Sequence, residues 1–120
     1  MTESLPADVA DVLAAVLNAD NPVHVALRRQ VPHLSVRARC TCGCGTASFE
    51  LDTSEVEPAP TGPTTVVAAE AQLVTEAGEC PGEVLVFTQG GYLSSLEVCS
   101  WSDDIEVTLA AARHWLQTHS

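Results

Sequence analysis

Apolar and polar residues recur with two different periods along this chain, and the switches between them mark out its elements. Leu5, Val9, Val12, Leu13, Val16 and Leu17 fall at helical spacing, with Asp8 and Asp11 on the opposite side. The spacing predicts an amphipathic helix over 5–17, with Ser4 as its cap and Pro6 tolerated in the first turn. The segment from Asn18 to Pro22 interrupts that stripe, and Asn21 followed by Pro22 is itself a helix start. A second helix is expected from Pro22 to Gln30 or Val31, burying Val23, Ala26, Leu27 and Val31 and ending at Pro32. Two helices with so short a linker predict an antiparallel hairpin.

The period then falls to two. Leu34, Val36, Ala38 and Cys40 alternate with Ser35, Arg37, Arg39 and Thr41, the pattern of a half-buried strand with Cys40 in register with its apolar face. Gly43 and Gly45 offer a turn, and Ala47, Phe49 and Leu51 alternate with polar residues in a second strand. The Pro-, Thr- and Glu-rich stretch about 53–64 reads as a mobile loop. Thr65 to Thr75 alternates again, with Val67, Ala69, Ala71 and Leu73 on one face, although its Ala and Glu content leaves a helix open. Pro81 and Gly82 mark a turn. Residues 83–88 are apolar on both faces, as in a central strand. Gly90 and Gly91 fit a two-residue hairpin turn into a partner strand over 93–101. Asp103 with Glu106 suggests a capping box for a last helix whose stripe is Ile105, Leu109, Ala112 and Leu116.

The predicted fold is therefore α+β: an N-terminal helical hairpin, an antiparallel meander of about five strands and a C-terminal helix. Its 120 residues suit one domain over 1–120. Composition narrows the function more than the fold. Five arginines against sixteen acids give a formal charge of −11, with no lysine, and such a surface repels phosphate backbones and anionic lipid. Nucleic-acid and membrane binding are thus not expected. No apolar run is long enough to span a bilayer, and the first eight residues carry two acids and no base, unlike a secretion signal. The expected location is the cytoplasm, as a monomer or small homo-oligomer.

Gln30 to Leu51, with Pro32-His33 and the run Cys40-Thr-Cys-Gly-Cys-Gly45, and Gly91 to Val98, with its G-x-L-S-x-L-E-V pattern, cover about a third of the chain. On these stretches it resembles a group of small actinobacterial proteins. The lysine-free, Ala- and Val-rich composition fits a high-GC genome. That group has no assigned activity, so the resemblance implies a shared fold and nothing further. Cys99 stands where the group favours an aromatic residue, which argues against a functional role for that thiol.

Five cysteines are the chain's only conspicuous chemistry. An odd number without a secretion signal disfavours a disulfide framework. Cys40, Cys42 and Cys44 admit three readings. Their thiolates can converge on zinc or copper, with Cys80 or His33 as a further ligand, although one-residue spacing departs from the zinc-knuckle template. Cys42 and Cys44 can close a strained, labile disulfide near Arg37 and Arg39. Or they are structural, with Cys40 and also Cys99 buried as small hydrophobes and Cys42 and Cys44 in a compact turn that excludes larger side chains, and this reading is favoured. His24 and Arg28 share a helix face; His33, His114 and His119 read as surface or capping residues. Glu97 is the one strand carboxylate that invites an acid–base role with a histidine, but it alternates away from Leu96 toward solvent. Ser94 and Ser95 lack a nucleophile elbow. Trp101 and Trp115 are expected to close the core beneath the last helix. The leading expectation is a non-enzymatic, acidic protein-interaction domain with a basic partner. The alternative is a metal-thiolate or thiol-redox module on Cys40, Cys42, Cys44 and Cys80.

Overall fold

The computed structural model describes residues 3–39, 46–101 and 107–119. Strand β1 is the two-residue segment Glu3–Ser4, paired with strand β2, Ser35–Arg39. Helix α1, Ala7–Val16, has Pro6 and not Ser4 at its N-cap position, without a side-chain bond there. α1 buries Val9, Val12, Leu13 and Val16, the stripe its spacing predicts. Helix α2, Pro22–Gln30, starts as expected: Asn21 Oδ1 accepts from the His24 N–H at 2.9 Å. His24 and Arg28 do share a face, and both fasten the linker behind α1. His24 Nδ1 accepts from the Ala19 N–H at 3.1 Å, and Arg28 donates to the carbonyls of Leu17 and Ala19 at 2.8 and 2.9 Å. A single 3-10 turn, Val31–His33, carries Pro32.

The remaining elements are β3, Ala47–Glu50; β4, Thr65–Leu73; β5, Gly82–Gln89; β6, Tyr92–Ser100; and helix α3, Leu109–His119. The fold is α+β, with one antiparallel sheet in the order β1-β2-β3-β6-β5-β4. β4, β5 and β6 form a meander whose last strand docks on β3, so the β3–β4 connection crosses two strands in Greek-key fashion. Gly90 and Gly91 take φ of +61° and +88°, the two left-handed positions that a tight hairpin needs between Gln89 and Tyr92.

The helices pack on one face of this sheet. α1 packs chiefly on α3 and reaches β4 and β5, while α2 lies on β4 and β6 rather than along α1. Val84, Val86, Leu93, Leu96 and Val98 meet Leu13, Leu17, Leu27 and Ala112 in a single aliphatic core. Thr108 caps α3, its Oγ1 accepting from the Ala111 N–H at 3.2 Å and its carbonyl from Ala112 at 2.9 Å. The predicted Asp103–Glu106 capping box and Ile105 lie outside the described residues, as does the Gly43–Gly45 turn.

Three β-bulges move side chains from the faces their alternation predicts. At 36–38 the register passes from Val36 opposite Phe49 to Ala38 opposite Ser48, so Ala38 leaves the core face and is exposed. At 67–69 it passes from Val67 opposite Phe87 to Ala69 opposite Val86, which turns Val67 outward while Ala69 is buried. The third, in β6, falls between Leu93 and Ser95 and leaves both Leu93 and Leu96 inward.

The segment 51–64 contains no helix or strand, yet it is fastened to the helix-bearing side. The Ala59 N–H donates to Gly91 O at 2.7 Å, and Thr61 Oγ1 lies 3.3 Å from Thr88 Oγ1. The fully buried Gln30 supplies the third anchor. Its Nε2 donates to Glu57 O and Gly91 O, both at 3.0 Å, and its Oε1 accepts from the Leu93 N–H at 2.9 Å.

Candidate functional site

With the helices on one face, the outer face of β4, β5 and β6 has no helix or strand over it among the described residues. Register fixes what it presents. One cross-strand row runs Val67, Phe87, Ser95, Ser48. The next runs Glu70, Leu85, Glu97, and the next Gln72, Glu83, Cys99. Leu85 and Phe87 are half-buried by these neighbours, Val67 is 46% exposed, and Trp101, just beyond β6, is 55% exposed. The acids alternate with the apolar groups: Glu70 and Glu97 flank Leu85, roughly 10 Å apart across two strand spacings.

Among the described residues no ion pair to an arginine is seen for Glu70, Glu83 or Glu97, and Arg37 stands at the far end of the first row, by Ser48 and Ser95. Twelve of the sixteen acids and none of the five arginines fall between residues 40 and 112. Arg28 is spent on the linker carbonyls and Arg113 on Asp11. The outer face of β4–β6 therefore combines an aliphatic and aromatic centre with carboxylates, in a stretch of sequence that holds no arginine or lysine.

Trp101 is thus not a core residue. Only Trp115 packs, half-buried, against the core. The reason is positional: Trp101 follows Ser95, Glu97 and Cys99 on the outer alternation of β6, and its N–H is tied to Pro81 O at 2.9 Å. Its indole Nε1 donates to Cys80 Sγ at 3.4 Å. Cys99 is also displaced from its expected place, since Val98 takes the core position and Cys99 lies half-buried on the outer face.

Of the cysteine candidates, Cys40, Cys42 and Cys44 lie outside the described residues. Cys80 is exposed in the turn before β5, with Sγ 3.6 Å from Gly82 O. β2 ends and β3 begins at the end of the sheet where Ser100 pairs with Gly82, and Thr46 Oγ1 there accepts from the Val98 N–H at 3.5 Å. Cys80, Cys99, the end of β2 at Arg39 and the start of β3 at Ala47 thus share one end. His33 sits at the other end of β2, 3.5 Å from Glu55. Among the described residues, no three His, Cys, Asp or Glu side chains are grouped to hold a metal ion.

The acid–base candidates stay apart. Glu97 is on the outer face, whereas His24 faces the helix linker, His33 meets Glu55, and His114 Nε2 is 3.4 Å from Glu76. Ser94 and Ser95 line an open cleft of about 420 Å³ where β3 parts from β6, with Arg37, Glu50 and Tyr92 around it. No histidine lines it. Asp52, at the rim of the 51–64 segment, is held below the usual carboxylate range, first by the Ser54 hydroxyl at 2.5 Å and then by the Ser54 N–H at 2.9 Å.

No described helix is long and apolar enough to cross a membrane. Comparison with protein-family models, with curated proteins and with solved structures found no match. Nothing in those comparisons bears on the resemblance carried by Gln30 to Leu51 and Gly91 to Val98.

Proposed function

We propose that this chain is a protein-interaction domain that takes a basic, partly apolar polypeptide against its acidic sheet. One observation carries the reading: the outer face of β4–β6 sets Val67, Leu85, Phe87 and Trp101 among Glu70, Glu83 and Glu97, in a stretch without a single lysine or arginine. Apolar groups supply area to bury, and carboxylates select cations and reject anionic partners. The test is a titration of isotope-labelled protein with basic peptides that do or do not carry aliphatic residues, followed by amide shifts. The expected shifts cluster at Leu85, Phe87, Glu97 and Trp101 and are lost in the Glu70→Lys, Glu97→Lys double variant. Shifts spread evenly over every acidic surface, or affinity that follows peptide charge alone, would overturn it.

A second reading, a zinc- or copper-thiolate module on Cys40, Cys42, Cys44 and Cys80, is favoured by the shared sheet end of Cys80, Cys99, the last residue of β2 and the first of β3. Native mass spectrometry with metal analysis decides it. Stoichiometric metal lost on Cys42→Ser and Cys44→Ser supports the module, and a bare 12.6 kDa mass from reduced, unchelated protein removes it.

A further inference from the structure

The sheet has two unequal edges. β1, at one edge, has two residues; β4, at the other, has nine, and among the described residues no segment pairs with its outer side. Such an edge presents a row of backbone donors and acceptors, and sheets guard against it with lysine, proline or inward charge. β4 has no lysine, proline or inward-facing charge. Its guards are the bulge at 67–69 and Glu70.

Two clefts open along this edge on the side of the helices. One, of about 440 Å³, lies between the start of α2 and the first half of β4, lined by Pro22, Val23, Pro60, Val66 and Ala68 among others. The other, of about 200 Å³, lies between α1, α3 and the second half of β4, lined chiefly by Ala15, Ala71, Trp115 and Leu116. They are four to five residues apart along β4, roughly 13–17 Å. In a strand, side chains on one face recur every second residue, so an added strand would place its residues i and i+4 over the two clefts.

We infer that β4 is a strand-addition site for an extended basic segment of another protein. The segment pairs with β4, sets aliphatic side chains over the two clefts, and turns arginine or lysine outward beside Val67, Glu70 and Gln72. Backbone pairing supplies affinity and the alternating side chains supply selection. A second copy of this chain is disfavoured as occupant, since antiparallel pairing of β4 with itself brings Glu70 near its mate and joins two chains of −11. The inference rests on the interaction reading and adds how the partner is held.

The probe is a nine-residue alternating arginine–valine peptide, matching β4 in length. It is compared with two isomers, each N-methylated on the amides of one strand edge. Only one edge can face β4, so one isomer should bind about as well as the parent and the other at least about tenfold more weakly. Amides of β4 should gain hydrogen-exchange protection with the parent, and Glu70→Lys should weaken it. Equal binding of both isomers overturns strand addition, and shifts at Leu85, Phe87 and Trp101 would then leave the interaction reading standing. Absence of binding by all three at low salt removes both. A dimer mass with β4 already protected overturns the inference in favour of a second copy.

Discussion

Gln30 offers the sharpest test of how the parts are held together. Its amide is fully buried and joins α2 to Glu57 in the 51–64 segment and to Gly91 and Leu93 of the β5–β6 hairpin. Gln30→Leu keeps the volume and removes all three bonds. Gly91 O keeps the Ala59 N–H, and Glu57 is exposed, so those two acceptors lose about 0.5–1.5 kcal/mol each. The Leu93 N–H is left without a partner, which costs about 1–3 kcal/mol. The sum is roughly 2–6 kcal/mol, a large share of the ~5–15 kcal/mol typical of a domain.

Gln30→Glu separates the bonds from the shape. It keeps an acceptor for Leu93 but turns a second oxygen toward two carbonyls that the wild-type amide meets at 3.0 Å. Burial and those carbonyls raise the introduced carboxyl's pKa in the folded state above its unfolded value near 4.3. The variant therefore folds best below about pH 4 and loses stability as pH rises from there toward the raised folded value. Urea melts at pH 4 and pH 7 give the assay. Gln30→Leu should lose a similar amount relative to wild type at both, and Gln30→Glu more at pH 7. A Gln30→Glu variant that matches wild type at pH 7, or whose deficit is the same at both pH values, refutes the reasoning.

Other consequences follow from the same geometry. A Cβ at Gly91 would lie 2.5 Å from Ala59 O at φ +88°, whereas one at Gly90 meets nothing; Gly91→Ala should cost about 2–4 kcal/mol in thermal or urea melts and Gly90→Ala about 1–2. Trp115→Ala should destabilise by about 2–4 kcal/mol, because it packs on the core, while Trp101→Ala stays within about 1. Ser54→Ala should return the Asp52 titration upward toward its ordinary 3.8, read by carboxyl-carbon NMR, since the Ser54 hydroxyl is the main cause of its depression. With the folded pKa depressed, Asp52 contributes stability above its unfolded value, and that contribution is lost as pH falls through the folded one. Asn21→Ala should cost about 1 kcal/mol by removing the cap on His24 N–H.

What the sequence revealed were features encoded locally. The α1 stripe, the Asn21-Pro22 start, the Gly90-Gly91 turn and the apolar run that makes β5 an interior strand each depend on residues a few positions apart, and each stands in the structure. Strand order, by contrast, depends on which edges meet after the chain has crossed 51–64, and nothing local records that β6 docks on β3. Trp101 illustrates the same limit: its size suggested burial, but its place on the outer alternation of β6 decided otherwise. Gln30 gave no signal either, being one polar residue at a helix end whose partners lie 27 to 63 positions away.

The bulges matter most for the candidate surface, because they decide which side chains it holds. Strict alternation would put Val67 on the same face as Ala69, Ala71 and Leu73, beneath the helices. The extra residue at Ala68 instead turns Val67 toward Phe87 and leaves small alanines under the helices. That exchange adds an apolar group to the outer face beside Leu85 and Phe87. It also leaves Val66 and Ala68 lining one edge cleft and Ala71 the other. A single inserted residue therefore shapes both the acidic–apolar face and the edge beside it. Deleting Ala68 would only make the register regular and keep Val67 opposite Phe87, whereas Val67→Ser takes the apolar group off the outer face. If the interaction reading holds, a basic aliphatic peptide binds the Val67→Ser variant more weakly even though the chain's charge is unchanged; undiminished binding would mean that charge, and not this surface, holds the partner.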